Sequence, residues 1–87
     1  MKRETWKILQ VMRVNADRRL HIAPQFAGEK LAVRNALDLS DAVVAHLKVN
    51  LSNITGALAG SGRTYTGTVP GTEDAIIVTL QRIEEAA

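Results

Sequence analysis

The sequence predicts an α+β protein, in which a long central amphipathic helix is followed by a C-terminal β-hairpin and the N-terminal segment is either helical or extended. Three observations lead to this fold class. Apolar residues recur at helical spacing through the middle of the chain, a Gly-Ser-Gly sequence ends that stretch, and two segments after it alternate in polarity. The chain has 87 residues, so we expect one small domain spanning residues 1–87.

The N-terminal segment, residues 3–16, has a pattern that fits two structures. Four apolar residues recur on one face of a helix, namely Ile8, Leu9, Met12 and Ala16. A different four suit an alternating strand that is interrupted by a glutamine, namely Trp6, Ile8, Met12 and Val14. Glu4 would complement a helix dipole, which favours the helix without excluding the strand. The polar residues 15–19 and the Ala23-Pro24 pair then indicate a connector.

The central stretch predicts a helix from about Ala27 to Leu58. Alanines and leucines, which favour helices, are frequent there, and Glu29 lies in what would be the first turn. An apolar stripe with 4-3 spacing runs along this helix and is broken only by a serine; its members are Val33, Leu37, Ser40, Val44, Leu47, Leu51, Ile54 and Leu58.

The length of this helix leaves two alternatives. It would be about 48 Å long, whereas a compact chain of this size has a radius of gyration of about 12 Å. The helix therefore either breaks at Ser40-Asp41, where serine can cap a new helix, or extends and packs against neighbouring subunits. We favour extension because the apolar spacing continues in phase through Ser40.

Two strands and a turn are predicted after the glycines. Residues 63–69 alternate threonines with other residue types, and residues 75–83 place Ile76, Val78 and Leu80 on one face. Between them, residues 70–74 read Pro-Gly-Thr-Glu-Asp, which is typical of a turn. An isolated hairpin is only marginally stable in water, so we expect its apolar face to cover the helix or to join a neighbour's sheet.

The apolar stripe needs a partner surface, so the sequence predicts a homo-oligomer. We expect a non-enzymatic structural or assembly protein whose partners are further copies of itself and other structural proteins. The predicted interface consists of the apolar stripe residues Val33, Leu37, Val44, Leu47, Leu51, Ile54 and Leu58.

An uneven charge distribution supports an alternative function. Residues 1–30 contain seven Lys/Arg and three Asp/Glu, whereas residues 31–87 contain four and six. The alternative is a small basic nucleic-acid-binding regulator whose anionic partner would contact Arg3, Lys7, Arg13, Arg18 and Arg19. We favour the assembly protein because the basic residues form neither a dense stripe with aromatic stacking residues nor a helix-turn-helix pattern.

Residues that could support catalysis or metal binding are sparse. There is no cysteine, and the two histidines, His21 and His46, have no partner at metal-ligand spacing. Asp38 and Asp41 lie three apart, which on a helix is more typical of a solvated flank than of an acid–base pair. The glycines of residues 60–64 follow a predicted helix and precede a strand, the reverse of a phosphate-binding loop. We therefore predict no catalytic residue, cofactor, metal or small-molecule substrate.

The N-terminal segment also bears on location. Glu4, Gln10 and Arg13 interrupt every apolar run there, so the pattern matches neither a secretory signal nor a membrane span. We expect a protein that lies in the cytoplasm of the producing cell and has no membrane partner.

The segment between the predicted helix and hairpin contains the motif Thr-Gly-x-Leu-x-x-Ser, formed by Thr55, Gly56, Leu58 and Ser61. It resembles part of the small head–tail connector and tail-completion proteins of tailed bacteriophages, in which a helix is followed by this element and then by a hairpin. The resemblance covers Val33 to Leu80. The family's proline before Thr-Gly is absent, as is its segment after the second strand. The resemblance implies a non-enzymatic subunit that assembles in a ring at the neck or tail of a virion.

Overall fold

A computed structural model describes residues 4–35, 38–59 and 62–83, although not the side chains of residues 58 and 59. In these ranges the chain forms one antiparallel sheet with one α-helix and one short 3₁₀ turn, Pro24–Phe26. The elements in chain order are β1 (Glu4–Val14), β2 (Leu20–Ile22), β3 (Lys30–Val33), α1 (Leu39–Leu47), β4 (Ser52–Ala59), β5 (Gly62–Thr68) and β6 (Ala75–Ile83).

The six strands are ordered β2-β1-β6-β5-β4, and β3 also pairs with β1. Because β6 occupies one edge of β1 along its length, β2 and β3 share the other edge. β2 pairs with the C-terminal part of β1, and β3 pairs with the N-terminal part. β4 therefore forms one edge of the sheet, while two short strands form the other.

The predicted long central helix is wrong. Its stretch contains β3, the nine-residue helix α1 and β4, and α1 ends at Lys48, which has left-handed backbone angles (φ 55°, ψ 38°). Residues 50–55 read Asn-Leu-Ser-Asn-Ile-Thr, in which every residue except Leu51 is a weak helix former, and within this run Ser52 and Thr55 pair with β5. The helix starts near Ser40, so the alternative of a break at Ser40-Asp41 was closer to the observed structure.

The N-terminal segment is a strand rather than a helix. Its alternation is disturbed by a β-bulge, because Ile8 pairs with Leu80 and Gln10 pairs with Thr79, which leaves Leu9 as an extra residue. The bulge shifts the alternation by one residue, so Val11 is buried on the same face as Ile8. The extra residue explains why the sequence pattern fitted a strand only imperfectly.

The two C-terminal strands pair antiparallel through the turn at residues 70–74, but they lie inside a larger sheet and do not form a separate hairpin over a helix. The Thr72 hydroxyl donates to the carbonyl oxygen of Val69 at 2.8 Å and accepts from the N–H of Asp74 at 3.1 Å. Gly71 has φ +81°, a conformation that suits glycine in such a turn.

The hydrophobic core lies between α1 and one face of the sheet. Leu39 and Val43 are the buried residues of α1, with exposed fractions of 0% and 2%. The sheet contributes the other buried apolar residues, which are Trp6, Ile8, Val11, Leu31, Val33, Ile76, Val78 and Leu80. A single short helix thus covers one face of the sheet, which is called the core face below.

The connection from α1 to β4 also packs on this core. A Cβ atom added to the buried Gly67 of β5 would lie 3.0 Å from the Cβ of Leu51. The absence of a side chain at Gly67 therefore lets Leu51 lie directly on β5, which brings the chain to the position where β4 begins.

Candidate self-association surface

The face of the sheet opposite the core face, called the open face here, can be derived from the strand register. Residues directly opposed in an antiparallel pair project on the same face. Across the five strands β2, β1, β6, β5 and β4, one row of opposed residues is Ile22, Met12, Ile77, Thr66 and Thr55. The next row is Leu20, Val14, Ala75, Thr68 and Ser52, and the row on the other side is Gln10, Thr79, Thr64 and Ala57. Every residue of these three rows is uncharged.

Apolar side chains are concentrated at the β2 end of these rows. Leu20 is 62% exposed and Ile22 is 58% exposed, which is unusual for large aliphatic residues. They lie beside three partly buried residues of the same face, and together the five form the apolar patch: Met12, Val14, Leu20, Ile22 and Ile77. An apolar cluster exposed on a small monomer is a typical mark of an interaction site.

Along the strand direction, the end of the open face that lies beyond the Gln10 row is basic. Lys7 is directly opposed to Lys30 on one side and to Gln81 on the other, one row beyond Gln10. Like charges in directly opposed positions repel each other. Along its strands, the open face therefore changes from the apolar patch at one end to this lysine pair at the other.

The predicted interface residues do not form one surface. Val33 is buried in the core, Val44 and Leu47 lie half-buried on α1, and Leu51 packs on β5. Ile54 is 36% exposed on β4, where Leu58 also lies. Leu37 lies outside the described residues. The helical ridge that was expected to join them does not exist.

The predicted anionic-partner contacts are also dispersed. Arg13 forms an ion pair with Asp74, with its Nε 2.9 Å from the carboxylate, so this charge is already balanced within the chain. Arg18 and Arg19 lie exposed in the turn between β1 and β2, and Lys7 lies on the open face. Arg3 lies outside the described residues, as does Ser61 of the motif shared with phage connector proteins. The structure instead brings Lys7 next to Lys30, which the sequence analysis had not singled out.

The histidines have structural partners. His46 Nε2 lies 3.0 Å from Glu29 Oε2, and its ring packs edge-on against Phe26 with centroids 6.2 Å apart. These residues line a surface cavity of about 500 Å³. His21 Nε2 lies 3.1 Å from Asn15 Nδ2. Glu29 lies in the loop that bonds to the β1 bulge, since its carbonyl accepts from the N–H of Ile8 at 2.8 Å, so the His46–Glu29 contact ties the end of α1 to β1.

The described residues also bear on metal binding and on membrane insertion. Among the residues that the structure describes, no three His, Cys, Asp or Glu side chains come together as a metal site. Within the described ranges, no helix combines the length and the apolar character needed to cross a membrane. Asp38 and Asp41 are both exposed at the start of α1.

Comparison with known proteins adds no further constraint. No family model, curated protein or solved structure matches this chain. The resemblance to phage connector proteins stays a prediction, and its Thr55, Gly56 and Leu58 lie within β4.

The apolar patch had a signal in the sequence that was not used. Met12 and Val14 alternate with polar neighbours before the polar residues 15–19, and Leu20 and Ile22 alternate after them. Two alternating segments that flank a polar turn are typical of a hairpin. Recognising that hairpin would have placed these four residues on one face.

Proposed function

We propose that this protein is a non-enzymatic assembly subunit that pairs with a second copy of itself through the open face of its sheet. The observation that carries the proposal is the exposure of Leu20 and Ile22 beside the other residues of the apolar patch. Burying such side chains stabilises an interface by about 25 cal/mol per Å² of apolar surface. The local resemblance to phage connector proteins supports the neck or tail of a virion as the setting.

The size of the open face suits a pair of such sheets. Two of the rows span five strands and the third spans four, so at ordinary strand and residue spacings the 14 residues cover about 450 Å² of each copy. Two copies would together bury about 900 Å², close to the lower limit for a specific protein interface. Two sheets can pack face to face at about 10 Å, so a second copy supplies a surface of matching shape.

The charge distribution favours a two-fold arrangement. If a second copy lies antiparallel over the first, the apolar patches face each other or lie side by side, and the Lys7–Lys30 pairs lie at opposite ends of the interface. No like charges then meet at the centre, where the three rows are uncharged. Closed two-fold pairing of this kind is the commonest form of homo-oligomer.

The test is the mass of the Leu20→Asp/Ile22→Asp variant in solution. Both positions are largely exposed within one chain, so the variant is expected to fold normally. Two added carboxylates on each apolar patch would be desolvated and would repel each other in the pair. Light scattering is expected to show that the variant has a smaller mass than the wild type, in the direction of the 9.5 kDa monomer.

The matched control is Ala45→Asp, which adds a carboxylate at an exposed position of α1, on the other side of the molecule. This variant should keep the wild-type mass. The proposal is wrong if the wild type is monomeric at every protein concentration measured by light scattering. It is also wrong if the Leu20→Asp/Ile22→Asp variant retains the wild-type mass while its circular dichroism shows the same fold.

A specific observation also favours a second candidate function, the binding of a nucleic acid. Lys7 and Lys30 are directly opposed on β1 and β3, so their like charges repel each other, and phosphate oxygens would relieve this repulsion. We expect the Lys7→Gln/Lys30→Gln variant to elute from immobilised DNA or RNA at lower salt than the wild type. The slope of the logarithm of its binding constant against the logarithm of the salt concentration should be smaller in magnitude by about two, because two phosphate contacts are lost.

The control for this second candidate is Arg34→Gln/Lys48→Gln, which removes the same charge at exposed positions of the loops before and after α1. Equal loss of retention in the two variants would show that only net charge matters. Absence of wild-type retention at low salt would remove the nucleic-acid candidate altogether.

A further inference from the structure

We infer that β4 is a second self-association site, at which β4 of another copy adds in antiparallel orientation and extends the sheet. The inference goes beyond the open-face pair, since it concerns a different surface and leads to assemblies larger than two. It begins with the position of β4, which ends the strand order and pairs only with β5 among the described strands. The outward backbone groups of an edge strand can receive the strand of another molecule.

The sequence of β4 lacks the charges and prolines that usually protect an edge. Residues 52–59 read Ser-Asn-Ile-Thr-Gly-Ala-Leu-Ala, with neither charge nor proline, and residues 53–57 are exposed. The other edge of the sheet is different, because β2 and β3 have three and four residues and β3 begins at Lys30. Short strands and edge lysines are devices that prevent pairing between molecules, and β4 has neither.

A bulge defines which part of β4 can pair. The register with β5 shifts between Ser52 and Thr55, and Asn53 has a positive φ of 52°. From Thr55 to Ala59 the ladder is regular, with five consecutive pairs to β5. The bulge therefore blocks the beginning of the edge and leaves residues 55–59 as the segment that presents a straight ladder.

The conformation of this segment is held by a cross-strand contact. Gly56 is opposed to Tyr65, and a Cβ atom added to Gly56 would lie 3.0 Å from the Tyr65 ring. The ring thus lies against the glycine backbone, an arrangement that is known to stabilise the register of edge glycines. An edge that is already ordered loses less conformational entropy when another strand adds to it.

A second copy of this chain is the occupant that the edge favours. In a two-fold antiparallel pair of residues 55–59, Ala57 is opposed to its own counterpart and Gly56 is opposed to Leu58. The segment is uncharged, so the two copies do not repel each other, and three of its five residues are Gly or Ala, which allow close approach. The edge contact uses the outward backbone groups of β4, whereas the open-face contact is centred on the apolar patch at the β2 end of the rows, so both can form together and link pairs into a larger assembly.

The experiment measures mass by light scattering for variants of Ala57, whose side chain is exposed. Ala57→Lys and Ala57→Glu each place like charges opposite one another in the two-fold pair. Each variant alone is expected to stop at the open-face pair, with twice the 9.5 kDa monomer mass, while the wild type is larger. An equimolar mixture of the two variants should regain a larger mass, because Lys then meets Glu. Ala57→Thr, an uncharged substitution that favours strands, should behave as the wild type.

Ala57 also lies in the third row of the open face, at the end farthest from the apolar patch, so Thr64→Lys serves as the control: it adds the same charge to the same row on the neighbouring strand β5, away from the edge, and should keep the wild-type mass. A loss of mass in Thr64→Lys equal to that in Ala57→Lys would assign the effect to the open face and overturn the edge contact.

The outcomes separate this inference from the proposed function. Wild-type mass in Ala57→Lys, or no gain of mass on mixing the Lys and Glu variants, would overturn the edge contact even if Leu20→Asp/Ile22→Asp lowers the mass. The reverse result, in which the Ala57 variants lower the mass while Thr64→Lys and Leu20→Asp/Ile22→Asp do not, would support the edge contact and contradict the open-face pair. A variant that carries both sets of substitutions should be a folded monomer of 9.5 kDa.

Discussion

Replacing Val43 with aspartate is expected to prevent stable folding, whereas the same replacement at Val44 is expected to cost only about 1 kcal/mol. Val43 is 2% exposed and packs in the core, while its neighbour Val44 is half-buried outside the core cluster. A carboxylate cannot stay charged in such a core without a partner. Protonating it at pH 7 costs about 4 kcal/mol, because an ordinary aspartate has a pKa of about 3.9.

The pair of variants also tests the fold itself. On the predicted long helix, Val44 belongs to the apolar stripe and Val43 does not, so that structure demands the opposite order of effects. Urea unfolding followed by circular dichroism measures both variants. A larger loss of stability for Val44→Asp than for Val43→Asp would contradict the orientation of α1 on the sheet.

Replacing Leu80 with alanine is expected to lower the free energy of unfolding by about 3 kcal/mol. Leu80 is fully buried on β6 and is directly opposed to Ile8, which is fully buried too. The loss combines the removed apolar surface with the cavity that remains, because both neighbouring strands are fixed by their hydrogen bonds. A domain of this size has a total stability of only about 4–13 kcal/mol, so the change would be a large part of it.

The matched control is Leu9→Ala, the same chemical change at the bulge residue, which is 43% exposed. It should cost less than about 1 kcal/mol. Both variants are best measured in the Leu20→Asp/Ile22→Asp background, so that association does not add to the stability of the native state. Equal losses at the two positions would show that β6 does not lie at the centre of the core.

The largest error of the sequence analysis concerned residues 48–58. The apolar spacing of Val44 and Leu47 continued through Leu51, Ile54 and Leu58. In the structure, however, Val44 and Leu47 belong to α1, whereas the other three residues belong to the connection and to β4. Helical spacing in a sequence shows only that apolar residues recur, and a strand with a bulge can produce the same intervals. The weak helix formers around Asn53 opposed the helix, and they deserved more weight than the spacing received.

The sequence and the structure point to different candidate self-association surfaces for a related reason. The sequence showed which residues were apolar, and it indicated correctly that 63–69 and 75–83 could be strands. It did not show that β1 lies between β2 and β6, which is the pairing that brings Ile22, Met12 and Ile77 into one row. The 4-3 spacing instead directed attention to Val33, which is buried in the core.

The sequence by itself determined the local features that depend on neighbouring residues. These include the turn at residues 70–74, the alternation of the two strands beside it and the lack of any cysteine chemistry. Only the tertiary structure decided whether residues 4–14 and 52–59 are helix or strand, because the preference of each segment is weak and hydrogen bonds to strands distant in sequence determine the outcome. It also decided which apolar residues stay exposed, since the nine-residue α1 can cover only one face of the six-stranded sheet that the described residues form.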